Sequence, residues 1–126
     1  MGYLIVFIGA GVGGAVRHGV NTLVPRLINT DLPIHTLLIN VLGSFLMGVI
    51  AEYFALRSHL SQPLRLFLTT GILGGFTTFS AFSLEAVLLY ERGQLGYAVV
   101  YAIASVVFAV GGLFLGLVTI RSLVNV

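Results

Sequence analysis

The side chains of this sequence that could act on a ligand are almost all neutral hydrogen-bond donors. Phe79 and Phe82 lie three apart on one helix face, with Ser80 and Ser83 beside them. Thr36 and Asn40 fall at i, i+4, a line that continues towards Gly43 and Ser44, and Tyr101 and Ser105 repeat the spacing further on. Hydroxyls and an amide NH₂ donate without carrying charge, so such a set suits holding an anion rather than breaking a bond. Nothing resembles a catalytic triad, a paired-carboxylate site or a His/Asp/Glu metal cluster. His18, His35 and His59 all fall near the ends of hydrophobic segments, where a solvated or interfacial imidazole is ordinary. No enzyme activity is expected.

The elements that must position these donors are membrane helices. Of 126 residues, 58% are hydrophobic, and only four acidic and six basic residues are present. The mean hydropathy is +1.09. With ~20 apolar residues needed per helical span, the chain has room for four spans and almost nothing else. The expected architecture is therefore all-α integral membrane, a single four-helix transmembrane domain over residues 1–126, with spans near Tyr3–Leu23, Pro33–Leu56, Leu64–Tyr90 and Gly96–Ile120. A net charge of +2, carried by scattered arginines, is too weak for a nucleic-acid surface. The absence of cysteine excludes disulfides and thiolate metal sites. The N-terminus lacks the basic region of a cleaved signal peptide, so the first segment is expected to remain as a helix.

Within the third span, Gly71 to Glu85 is the stretch around which the chain is organised. Gly74-Gly75 followed, after Phe76, by Thr77-Thr78 weakens a helix, because Gly costs backbone entropy and Thr competes for backbone hydrogen bonds. A broken helix survives in lipid only where it is buried in protein or lines a cavity, which suggests an ion site. From pattern alone, a glycine-softened helix with its phenylalanines towards lipid explains the stretch equally well.

Other polar positions also carry two readings. Arg17 either snorkels to an interface or faces inward as a cation that draws anions into a vestibule. Asn40 either joins helices or serves as a pore donor, with Thr36 holding its amide oxygen. Glu85 stands at a cavity mouth or at the interface, and Glu52 is interfacial. Gly9, Gly11 and Gly14 match a dinucleotide fingerprint, yet no βαβ alternation follows. Gly9-x-x-x-Gly13 and Gly112-x-x-x-Gly116 read better as close-packing faces. Pro25-Arg26 is expected to end the first helix, Thr30 or Asp31 to cap the second, and Pro33 to lie in its first turn.

The run Gly74-Gly75-Phe76-Thr77-Thr78-Phe79-Ser80-Ala81-Phe82, with Arg in span one and Thr36-x-x-x-Asn40-x-x-Gly43 in span two, resembles the Fluc (CrcB-type) fluoride channels over the whole chain. The resemblance implies an antiparallel, dual-topology homodimer in the cytoplasmic (inner) membrane that exports fluoride passively through two pores. It implies pore-lining roles for Phe79, Phe82 and Asn40. It also implies a central structural Na⁺ held by the backbone carbonyls of Gly74 and Thr77. Fluoride holds its water tightly, so a selective route needs donors to replace that water. Thr36, Ser80, Ser83, Tyr101 and Ser105 can supply them, while phenyl edges, positive by their quadrupole, face the anion. Ala109 departs from the fullest family pattern and leaves one hydroxyl of the fourth span in doubt. The expected partners are fluoride, membrane lipid and a second copy of the chain, with no nucleic acid. A small four-helix multidrug exporter is the alternative, but it wants a membrane-embedded Glu in span one, where Arg17 stands. A non-transporting scaffold would explain the glycine faces and not the polar track.

Overall fold

A computed structural model describes residues 1–57 and 59–124; Ser58, in the second loop, lies outside the described residues. The chain is all-helical: α1 (Gly2–Leu27), α2 (Ile34–Leu56), α3 (Gln62–Leu66), a π-helical stretch (Phe67–Leu73), α4 (Gly74–Phe76), α5 (Phe79–Glu91) and α6 (Leu95–Val124). Four of the resulting rods, Gly2–Leu27, Ile34–Leu56, Gln62–Glu91 and Leu95–Val124, are long and apolar enough to cross a membrane. At ~1.5 Å per residue the 30 residues of α6 span roughly 45 Å, so the helix outruns a ~30 Å hydrocarbon core unless it tilts.

The ends depart from expectation in instructive ways. Pro25 does not stop α1. The helix runs to Leu27 and Ile28 N–H still reaches Val24 C=O at 2.9 Å. A proline this close to the end removes only one ladder bond, and two further residues do not need it. Neither Thr30 nor Asp31 caps α2, whose N-cap position is Pro33. Thr30 Oγ1 instead accepts from Leu32 N–H at 3.3 Å within the connection, and Asp31 accepts from Gln94 Nε2 at 3.2 Å. Ser61 is the cap for α3, accepting from Leu64 N–H. Gly93, at φ +80°, ends α5: Gln94 N–H reaches back to Leu89 C=O at 2.9 Å in a Schellman arrangement that only glycine enters without strain.

Packing follows the small-residue faces. A methyl on Gly13 would strike Ile72 C=O and lie 2.8 Å from Phe76 N, and one on Gly9 would lie 2.9 Å from the Gly71 Cα, so α1 rests backbone-to-backbone on the π-helical stretch. Gly48 and Gly116 do the same between α2 and α6, against Leu113 C=O and Phe45 C=O. Close approach of backbones is how helices associate where lipid offers no hydrophobic contrast. The first half of the third rod thus lies on α1, while α5, past the break, lies on α6. The best-buried cluster, Leu89, Ala98 and Tyr101 with Leu37 and Phe82 against it, seals α5 to α2 and α6.

Candidate functional site

The third rod breaks at Thr77 and Thr78, both extended (φ −82°, ψ 158° and φ −151°, ψ 119°). Two side chains take over from the helix there. Thr78 N–H, which would close on Gly74 C=O in an unbroken helix, donates to Asn40 Oδ1 at 2.8 Å, and Asn40 Nδ2 donates to Thr78 C=O at 2.9 Å. Ala81 N–H, the helical donor for Thr77 C=O, goes instead to Thr78 Oγ1 at 3.1 Å, which caps α5. Asn40 therefore clasps the break from α2. This corrects the expectation that Thr36 holds its amide oxygen: Thr36 is buried one turn away, and a backbone amide freed by the break is the nearer donor. The carbonyls of Gly74 and Thr77 are among those that lose their helical donors at the break, since Thr78 N–H and Ala81 N–H bond elsewhere, and carbonyl oxygens so released suit a hard cation. Among the described residues no cluster of three or more His, Cys, Asp or Glu side chains could hold a metal.

Beside the break runs a groove of about 360 Å³, lined by Asn40, Ser44, Thr78, Phe79, Phe82 and Ser105 among others. Phe79 is 78% exposed within the single chain, and its ring meets that of Phe82 at 5.4 Å and 47°. Phe82 in turn tilts against Tyr101 at 5.2 Å and 46°. Ser105 is only 8% exposed, and its Oγ is the buried side-chain polar atom without a hydrogen-bond partner among the described residues. Beyond Tyr101 the polar line continues to Glu85, whose Oε1 accepts from Tyr101 Oη at 3.1 Å. Glu85 then faces a second cavity of about 330 Å³, bounded by the α1–α2 connection and the end of α5.

The structure thus gathers Asn40, Phe79, Phe82 and Ser105 in one groove, with Tyr101 and Glu85 in line behind Phe82. Others of the expected set lie elsewhere. Ser83 lines neither cavity, and its hydroxyl donates to Phe79 C=O at 2.9 Å within its own helix. Ser80 also lines neither and stays beside Thr78 Oγ1 at 3.4 Å. Arg17 is half-buried on α1, lines neither cavity, and forms no ion pair among the described residues. Glu52, near the end of α2, is paired there: Arg121 Nε donates to it at 2.7 Å across α2 and α6. Two residues were missed. Ser44 lines the groove one turn beyond Asn40, a position the i, i+4 line already marked. His35 contacts Glu85 Oε2 at 3.1 Å, a pairing across two helices that no local pattern signals.

Residues 4–117 match the family described as "CrcB-like protein, Camphor Resistance (CrcB)". The chain is 58% identical over 123 residues to a fluoride-specific ion channel FluC 2 of Nitrobacter hamburgensis, covering 98% of this chain and 99% of that protein. It is 60% identical over 125 residues to a fluoride-specific ion channel FluC of Granulibacter bethesdensis, covering 99% and 98%. A fluoride-specific ion channel FluC of Agrobacterium fabrum is 45% identical over 119 residues, covering 94% and 95%.

Proposed function

The chain belongs to the CrcB-like family, and from that footing we propose that it is a fluoride-selective channel, an ion conductor and not an enzyme. The observation that carries the reading is Ser105, a buried hydroxyl without a partner on a groove otherwise lined by Asn40, Ser44 and the rings of Phe79 and Phe82. A neutral donor kept dry and unsatisfied costs free energy, about 1–3 kcal/mol, unless a ligand accepts from it. Fluoride, an anion that yields its water only to good donors, fits the chemistry of such a lining. Tyr101 and Thr36 extend the polar line towards Glu85, while Arg17 raises anion concentration at the approach. Ser80 and Ser83 play the smaller part that their local bonds leave them.

The whole chain acts as one transmembrane unit in the cytoplasmic membrane, and two copies pair antiparallel, giving two pores. Phe79, so exposed in one copy, then gains cover from the other. The carbonyls of Gly74 and Thr77, released by the Asn40 and Thr78 side chains, meet their counterparts and hold a structural Na⁺. Bound there, the ion would supply the positive charge that those carbonyl oxygens attract, a structural role in holding the two copies together. The multidrug exporter considered from composition falls away with the family assignment.

Fluoride-loaded liposomes containing the protein should release fluoride rapidly when a potassium shunt is added, and chloride-loaded ones should not. Equal release of the two anions would end the selectivity reading.

A further inference from the structure

A histidine of α2 borders this route. His35 Nε2 lies 3.1 Å from Glu85 Oε2, while Tyr101 Oη donates to the other oxygen of the same carboxylate at 3.1 Å. His35 stands in the first turn of α2, Glu85 midway along α5 and Tyr101 in α6, so three elements converge on one acidic group. The imidazole and the carboxylate are each only about a quarter exposed, at 26% and 21%. Both line the second cavity. A carboxylate on an anion's path opposes the anion, and where water is partly excluded that repulsion is weakly screened. The proton of Tyr101 is meanwhile held by Glu85 and turned away from a passing ion.

We propose that His35 is a positioning residue for anion passage: it holds the Glu85 carboxylate at the end of the route and, when protonated, cancels its charge, so that fluoride conduction rises as pH falls. The inference rests on the conduction reading above and deepens it. Imidazole is the side chain whose charge ordinarily changes between about pH 5 and 8. On the acidic side an imidazolium faces a carboxylate and the pair is neutral. On the alkaline side a neutral imidazole still donates a hydrogen bond, but the negative charge stands uncompensated. The other charged groups around the cavity are Asp31, from the α1–α2 connection, and Arg92, just past α5. They oppose each other in sign, and carboxylates and guanidinium groups as classes keep their charge through this range. Val24 and Pro25 of α1 and Ile28 just past it are apolar, Thr30 of the connection is uncharged, and from α6 the Tyr101 hydroxyl meets Glu85 itself.

Fluoride efflux from proteoliposomes, taken above protein-free vesicles at the same pH, tests this at about pH 6 and about pH 8. The wild-type rate should be at least about fivefold higher at the lower pH, the lower edge of ordinary coupling between two sites. His35→Gln keeps a donor towards Glu85 without titrating, and its ratio should fall to about one. His35→Lys, a fixed cation, provides a second route should the first variant fold poorly; its rate at the higher pH should approach that at the lower. A flat wild-type profile with vigorous fluoride flux would overturn the proposal and leave the channel standing. A wild-type ratio retained in His35→Gln but lost in Glu85→Gln would overturn it too, assigning the proton to the carboxylate alone. No fluoride flux at either pH would remove the channel reading, and this inference with it.

Discussion

At the scale of single residues, Asn40 has the most consequential geometry. Its two hydrogen bonds to Thr78 use one donor and one acceptor of the amide and leave one N–H uncommitted. The residue can therefore hold the break and still donate to an anion, two roles that a sequence-based reading sets against each other. Asn40→Asp separates them. The carboxylate still accepts from Thr78 N–H but sets an oxygen against Thr78 C=O where the amide had placed a donor. A loss of about 1–3 kcal/mol is expected, seen as an earlier thermal unfolding midpoint in detergent, together with loss of fluoride flux. An unchanged midpoint would show that the clasp contributes nothing to the fold. Aromatic contacts at the site are a chain of tilted rings, Phe79 to Phe82 to Tyr101, which fixes the edges of the phenyl groups relative to the groove.

At the scale of elements, the π-helical stretch and the break act together. A π-helical turn widens the ladder ahead of Gly74, and α1 fits against that irregular backbone only because Gly9 and Gly13 present no side chain there. Two glycines of the same helix provide the contrast. Gly13→Ala places a methyl on Ile72 C=O and beside Phe76 N, both backbone, and should destabilise the protein by about 1–3 kcal/mol. Gly11→Ala meets nothing within 4 Å and should be neutral or gain up to about 1 kcal/mol from the lower entropy of the unfolded helix. Unfolding midpoints of the two variants decide the matter, and equal losses would mean that α1 does not rest on the third rod. Several hydroxyls inside the rods bond locally: Thr69, Thr77, Ser83 and Thr119 each donate to the carbonyl four residues back. In lipid that bond satisfies a donor without a partner helix. Ser105, buried on the groove, has no such bond.

At the scale of the whole molecule, the arginines fall almost evenly on the two sides. Four rods put Arg57, Arg65 and Arg121 on one side and Arg26 and Arg92 on the other. Orientation follows Lys/Arg bias near span ends, and a three-to-two split, with Arg17 inside the membrane, barely directs insertion. His59→Lys with Leu60→Lys, which spares the Ser61 cap, should force one orientation and suppress flux if opposite copies must pair. Co-expression with a chain carrying Asn29→Lys and Gln94→Lys should restore it. Normal conduction from a loop-biased chain shown by reporters to insert one way only would exclude antiparallel pairing. The proposed Na⁺ is testable at the same scale, since an ion bound only by the folded assembly raises its unfolding temperature by mass action. Replacing Na⁺ with an organic cation too large for four carbonyls should lower the midpoint, and identical midpoints would leave the site without its ion.

The sequence alone determined that this chain is helical and membrane-embedded, because hydropathy over ~20 residues is a local sum that needs no knowledge of packing. It also marked a weak stretch from Gly74-Gly75 to Thr77-Thr78, which pattern alone read equally well as broken or merely softened and which breaks at the two threonines, and it marked the glycine faces by their spacing. The helix ends were less legible: Pro25 reads as a stop, yet α1 passes it, because a proline near a terminus removes little. What the tertiary structure decided are the partnerships across rods. Asn40 bonds to a backbone 38 residues away, Glu52 to an arginine 69 away, and Tyr101 to a carboxylate on the preceding rod. Whether Thr36 or Thr78 takes the Asn40 oxygen depends on which amide the break frees and how α2 approaches it. Local periodicity places a side chain on a face; only the packing of that face selects its partner.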